Sequence, residues 1–167
     1  MVSDPVPQSL DAIFTFAGET SRIVYSKKLF VRYPKAHWVL SYPSKKITIP
    51  LCKEGLDTSK ITVVDTCHNT LAEVAFVMQW AGSVSRQRHQ SIQIGLVSTP
   101  FHMRRIKLLV DKKVKAYPDI SVTYLPVPFE DYGWTKKTIQ NWWKYKQIRK
   151  PMILELKKLV YYFFVQK

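Results

Sequence analysis

Residues 91–110, SIQIGLVSTPFHMRRIKLLV, carry the fold in one stretch. Ser91–Ser98 is almost continuously apolar and rich in β-branched residues, the pattern of a strand covered on both faces. Ser98 or Thr99 can cap a helix, and Pro100 suits its first position, where a missing N–H costs nothing. Beyond it Met103, Ile106 and Leu109/Val110 fall on one stripe, as on a helix packed against a core. A strand therefore runs directly into a helix.

The same unit recurs on either side. Apolar runs at 11–17 (DAIFTFA), 37–42 (HWVLSY), 60–65 (KITVVD) and 120–127 (ISVTYLPV) read as four more strands. Helical patterns follow the first and third: ETSRIVYSKKLFVRY, with Ile23, Leu29 and Phe30 inward, and TLAEVAFVMQWAG, ending at Gly82. This alternation predicts an α/β fold, a mostly parallel sheet with helices on both faces. Residues 42–60, with Pro43, Pro50 and Gly55, are irregular. The C-terminal third reads as two helices divided at Pro151, the last with Met152, Leu156, Leu159/Val160 and Phe163 on its apolar face. One domain is expected over residues 10–167, after a tail of residues 1–9.

Composition narrows the class. With 46% hydrophobic and 13% aromatic residues, the 167-residue chain is globular rather than disordered. Two cysteines, Cys52 and Cys67, make no disulfide framework and are read as thiols. The start lacks a signal peptide's basic and apolar regions, and the apolar C-terminal tail is interrupted by Glu155, Lys157 and Lys158. A cytoplasmic or membrane-associated chain is expected. The net charge of +14 is uneven: residues 99–167 hold 15 Lys and Arg against 5 Asp and Glu. That excess suits an anionic partner, whether a phosphate-bearing ligand, nucleic acid or an anionic membrane surface.

In open α/β sheets ligands bind beyond the carboxyl ends of the strands, so the residues there are the candidates. After the first strand, Gly18 in AGETSR permits a tight turn whose amides could seat an anion; a lone glycine is no dinucleotide fingerprint. After the third, DTCHNTLAEV offers Asp65 as a hydroxyl ligand or base. It also offers Thr70 and Glu73, which either form a capping box or face a ligand. After the fourth, His102 and Arg105 share a helical face, and Arg104 points elsewhere. They are either a site or the wet side of a capped helix. As a site, His102, kept neutral by the helix start, could act as base while Arg105 binds an anion bidentately. Zinc spacing is lacking around Asp65, Cys67, His68 and His102, so no metal site is expected.

The segments AGETSR, DTCHNTLAEVAF, LVSTPFHMRRIKLL and YLPVPFEDYGW, in this order, resemble the YdcF-like family, which includes the SanA and ElyC envelope-associated proteins. The likeness spans roughly residues 10–165. It implies a Rossmann-like fold with a site formed by Gly18, Arg22, Asn69, Thr70, Glu73, Ser98, His102 and Arg105. Here one glycine stands where the family usually shows two or three, and HMRRI stands for HMPRA. S-adenosylmethionine or another nucleotide-like ligand, and envelope lipid-carrier precursors, are what the resemblance offers as ligands.

The function expected is thus binding of a nucleotide-like or phosphate-bearing molecule, with hydrolysis or group transfer at a phosphate if it is an enzyme. Arg22 and Arg105 would hold the charge. Asn69, Thr70 and Ser98 would supply hydrogen bonds, and Glu73 or His102 any proton transfer. The alternative is a nucleic-acid module, in which Lys136, Lys137, Lys144, Lys146, Arg149, Lys150, Lys157 and Lys158 track phosphates and Trp134, Trp142, Trp143 and Tyr145 stack on bases.

Overall fold

The computed structural model describes residues 3–41 and 55–164. Cys52, most of the irregular stretch 42–60 and the side chain of Phe163 lie outside the described residues. Five strands form among the described residues, β1 (Ala12–Thr15), β2 (His37–Ser41), β3 (Ile61–Val64), β4 (Ile92–Ser98) and β5 (Ile120–Pro126). Among the described residues five α-helices accompany them: α1 (Thr20–Arg32), α2 (Thr70–Arg88), α3 (Pro100–Lys113), α4 (Lys136–Gln140) and α5 (Lys146–Phe164). The sheet order is β3-β2-β1-β4-β5 and every pairing is parallel. The chain is an α/β, Rossmann-like domain with an added C-terminal helix.

Side chains alternate across the strands and build a core on each face. Ala12, Phe14 and Phe16, with Ile94 and Leu96, pack against Val74, Val77 and Met78 of α2 and Met103 and Ile106 of α3. Ile13, Trp38, Leu40 and Val97 pack against Leu29 and Phe30 of α1. Both faces are covered, so the strands read as unbroken apolar runs. The chain moves outward from β1 to β2 and β3, then returns to β4 beside β1. That reversal opens a crevice between the carboxyl ends of β1 and β4, the switch point where such sheets bind ligands.

Two boundaries and one helix face differ from expectation. The helix after β3 does not stop at Gly82; α2 continues to Arg88 and closes on His89 in the left-handed region (φ 51°). Gly82 is instead where α2 meets the ring of Tyr117, which stands 2.8 Å from where a Cβ would lie. Pro151 does not divide the C-terminal helix either. It lies inside α5, whose buried Ile148 and Leu159 anchor the segments before and after it to the body. The inward face of α5 is also turned from the expected one. Ile148, Met152, Glu155, Leu159 and Tyr162 face the protein, whereas Leu156 and Val160 are 42% and 57% exposed. Among the described residues no helix is long and apolar enough to cross a membrane.

Gly82→Ala would ordinarily strengthen a helix interior by about 1 kcal/mol. Here the new methyl group must push an aromatic ring aside, at a cost of roughly 1–3 kcal/mol. We expect Gly82→Ala to lower the urea midpoint, and Gly82→Ala combined with Tyr117→Ala to recover the helix gain relative to Tyr117→Ala alone.

Candidate functional site

Each element ending at the switch point delivers a polar side chain inward. The turn after β1 bends at Gly18 (φ 139°), and the guanidinium of Arg22 lies against it, with Cζ 2.8 Å from where a Cβ would be. Gly18 therefore seats a side chain of the protein itself. Arg22 donates to the carbonyls of Phe16 (3.3 Å) and Ala17, and to Thr99 Oγ1 (3.4 Å) across the crevice. Its Nε is buried without a hydrogen-bond partner among the described residues. Burial lowers its pKa, against the pull of Glu19 and Glu73.

The start of α2 is read differently in the structure than as a capping box. Asn69 is the N-cap, its side chain accepting from the Ala72 amide at 2.9 Å. This frees Thr70 and Glu73 to turn inward, where they are 5% and 4% exposed. Glu73 accepts from the Ala17 amide at 2.7 Å, joining α2 to the turn after β1. Burial pushes its carboxyl up, and the Ala17 amide, the Ser41 hydroxyl, Arg22 and Arg105 restrain the rise. Asp65, beyond edge strand β3, is exposed, as is His68; Cys67 is a free, half-buried thiol.

β4 ends at Ser98, whose hydroxyl is fully buried and has no hydrogen-bond partner among the described residues. Thr99 occupies the N-cap position of α3, but its side chain makes no capping bond and faces Arg22 instead. His102 and Arg105 turn inward together, and Arg104 is exposed. Arg105 Nη2 lies 2.8 Å from His102 Nδ1, and Arg105 Nη1 donates to Thr70 Oγ1 at 2.8 Å. A guanidinium only donates, so Nδ1 is the acceptor and the imidazole proton sits on Nε2, 3.2 Å from Thr70 Oγ1. This arrangement holds His102 neutral. Its pKa falls from 6.5 to about 4, chiefly because of burial, with Arg105 and Arg22 adding to the fall and Glu155 opposing it. Burial and two guanidinium groups, more than the helix start, account for the neutral ring.

What sequence reading missed is the part that α5 plays in this site. Glu155 projects from it onto Arg105 in a two-point pair, Nε to Oε2 at 2.9 Å and Nη2 to Oε1 at 3.2 Å, and Lys158 adds a contact at 3.1 Å. Burial alone would raise the Glu155 carboxyl; its contacts with His102 and Arg105 outweigh this and hold it well below the usual range. The guanidinium carries most of that effect, because Nδ1, 3.5 Å from the carboxylate, has no proton to offer. A carboxylate in the last apolar helix was visible in the sequence, but its partner fifty residues earlier was not.

The structure thus gathers Gly18, Arg22, Thr70, Glu73, Ser98, His102 and Arg105 at one end of the sheet. Asn69 sits beside them as a cap, and Asp65 stands apart on the outer strand. Among the described residues no group of three or more His, Cys, Asp and Glu side chains is arranged to hold a metal ion. α5 covers the cluster, and openings flank it. A cleft of ≈ 120 Å³ includes Glu19, Thr99, Tyr132 and Trp134. An apolar cavity of ≈ 230 Å³ has Phe101, Met152 and Glu155 in its wall. No family model, no curated protein and no solved structure matches the chain.

The buried neutral imidazole sets a pH dependence. Between pH 6.5 and about 4 the unfolded chain takes up a proton at His102 that the folded chain refuses. The stability is therefore complete above the unfolded value and falls as the pH drops towards the folded one, by on the order of 3 kcal/mol. Glu155, with its depressed carboxyl, adds a loss in the same direction below its ordinary 4.5. Urea unfolding of the native chain and of His102→Gln at several pH values should show the steeper acid loss only in the native chain. Parallel pH profiles would remove the buried neutral histidine.

Proposed function

We propose that the switch-point cluster binds the anionic part of a nucleotide-like or phosphate-bearing small molecule. The observation that carries this reading is that two of the three buried polar atoms without a hydrogen-bond partner among the described residues flank the crevice, Arg22 Nε from the β1 side and Ser98 Oγ from the β4 side; the third is Ser41 Oγ at the end of β2. A buried donor or hydroxyl left unpaired costs roughly 1–3 kcal/mol, a penalty that a ligand relieves. Arg22 and Ser98 are the primary anchors, and the Thr70 hydroxyl stands beside them. The 120 Å³ cleft reaches Thr99 next to Arg22, and its Tyr132 and Trp134 rings stack with centroids 4.7 Å apart. A planar base on that aromatic wall would place its phosphates towards Arg22.

Arg105 has its donors engaged by Glu155, Thr70 and His102. Glu155 occupies the position that a ligand carboxylate or phosphate would take, so binding there requires α5 to give up this contact. With Glu155 displaced, Arg105 adds a second charge for the anion. Glu73, whose raised carboxyl is the better proton acceptor, and neutral His102 would serve hydrolysis or group transfer at a phosphate. The YdcF-like motif segments support the same residues, and S-adenosylmethionine is a further nucleotide-like candidate.

A thermal-shift panel of inorganic phosphate, nucleotides, S-adenosylmethionine and sugar or polyprenyl phosphates tests this directly, since a ligand held by the folded state raises the midpoint. Ser98→Ala should leave the midpoint in buffer unchanged or higher, because it removes an unsatisfied hydroxyl, yet weaken the ligand by about tenfold. Glu155→Ala should tighten phosphate binding by about tenfold, as an internal competitor is removed. A panel with no shift on either the native chain or Glu155→Ala would end the proposal.

A further inference from the structure

Between Tyr132 and Lys167 the sequence has nine Lys and Arg and a single acidic residue, Glu155. Glu155 is turned inward and paired, so the outer side of α5 carries no negative charge. That side is not simply polar. Ile153, Leu154, Leu156, Val160 and Tyr161 are 40%, 48%, 42%, 57% and 53% exposed. Of the ten large hydrophobic residues exposed among the described residues, seven lie between Trp143 and Tyr161. Lys146, Lys150 and Lys157 recur among them at spacings of four and seven, which on a helix is one face.

We propose that this outer face of α5 docks on an anionic membrane surface, with the helix lying in the plane of the interface. The inner stripe, Ile148, Met152, Glu155, Leu159 and Tyr162, is already used by the protein body. The outer stripe is a second apolar surface left exposed among the described residues. Its charge selects the occupant. A second copy would set lysines against lysines. A nucleic acid would gain from the cations but leave the branched aliphatic side chains against phosphates, where they neither stack nor hydrogen-bond. At an anionic bilayer both halves are satisfied: aliphatic groups enter the boundary of the acyl chains, and lysines snorkel to the headgroups. Trp143 and Tyr145, 50% and 38% exposed just before the helix, carry amphipathic rings suited to the interface. This docking is independent of what the switch-point cluster binds.

The test is co-sedimentation of the full chain with vesicles of phosphatidylcholine alone, and with vesicles containing about one third phosphatidylglycerol. Retention is expected on the anionic vesicles and weak retention on the neutral ones. Lys150→Gln with Lys157→Gln should reduce partitioning about 25-fold at low salt, fivefold for each charge. Ile153→Asn with Val160→Asn should reduce it at least about tenfold. All four side chains are exposed, and circular dichroism should show both variants as folded as the native chain. Absence of retention on anionic vesicles at low salt, or equal retention by the native chain and both variants, would overturn the proposal. So would a dimer or an oligonucleotide complex that both pairs of substitutions dissolve.

Discussion

The pair between Arg105 and Glu155 organises this end of the molecule. A guanidinium buried to 6% exposure needs a counter-charge, because an isolated buried charge costs several kcal/mol. Glu155 supplies it in a two-point geometry. The remaining donors of Arg105 then fix Thr70 and the Nδ1 face of His102. One side chain on α3 thereby sets the position of α5, the tautomer of the histidine and the orientation of the first residue of α2. The pairing also explains the rotation of α5. Aliphatic periodicity alone would bury Leu156 and Val160; the carboxylate at 155 turns the helix until it meets its partner, and those two side chains are left outside.

The five strands are legible in the sequence for a physical reason. A parallel strand with helices on both faces buries every side chain, so it appears as an uninterrupted apolar run, and the strand ends fall within two residues of the expected positions. The stripes of α1 and α3 are legible because their spacing is read against one flat sheet. What escapes is whatever depends on distant partners. Gly82 looks like a stop signal because Tyr117, the ring it accommodates, is thirty-five residues away. Pro151 looks like a break because Ile148 and Leu159, on either side of it, are buried against other parts of the chain.

The candidate site was legible as a set of residues and less so as a set of roles. Thr70 and Glu73 fit a capping box, yet Asn69 takes over the cap and leaves both for the interior. Glu73 then bonds the Ala17 amide, so α2 is tied to the turn after β1. Gly18 suits an anion seat in the sequence, but its missing side chain makes room for Arg22, a fixed cation in place of a recruited anion. The chemistry moves with it: the backbone turn no longer provides the positive field, and the guanidinium does.

α5 divides the charge of the C-terminal region by face. Its one carboxylate points inward, where low dielectric strengthens the pairing with Arg105, while Lys146, Lys150 and Lys157 remain in water. A reversed placement would fail twice. A lysine at 155 would meet Arg105 and leave two buried cations unpaired, and a glutamate on the outer face would form only an exposed pair, worth little. The inward carboxylate is thus what allows a strongly basic helix to lie over a cationic cluster at all. The same division concentrates positive charge on the outer face, beside aliphatic side chains that the core does not use.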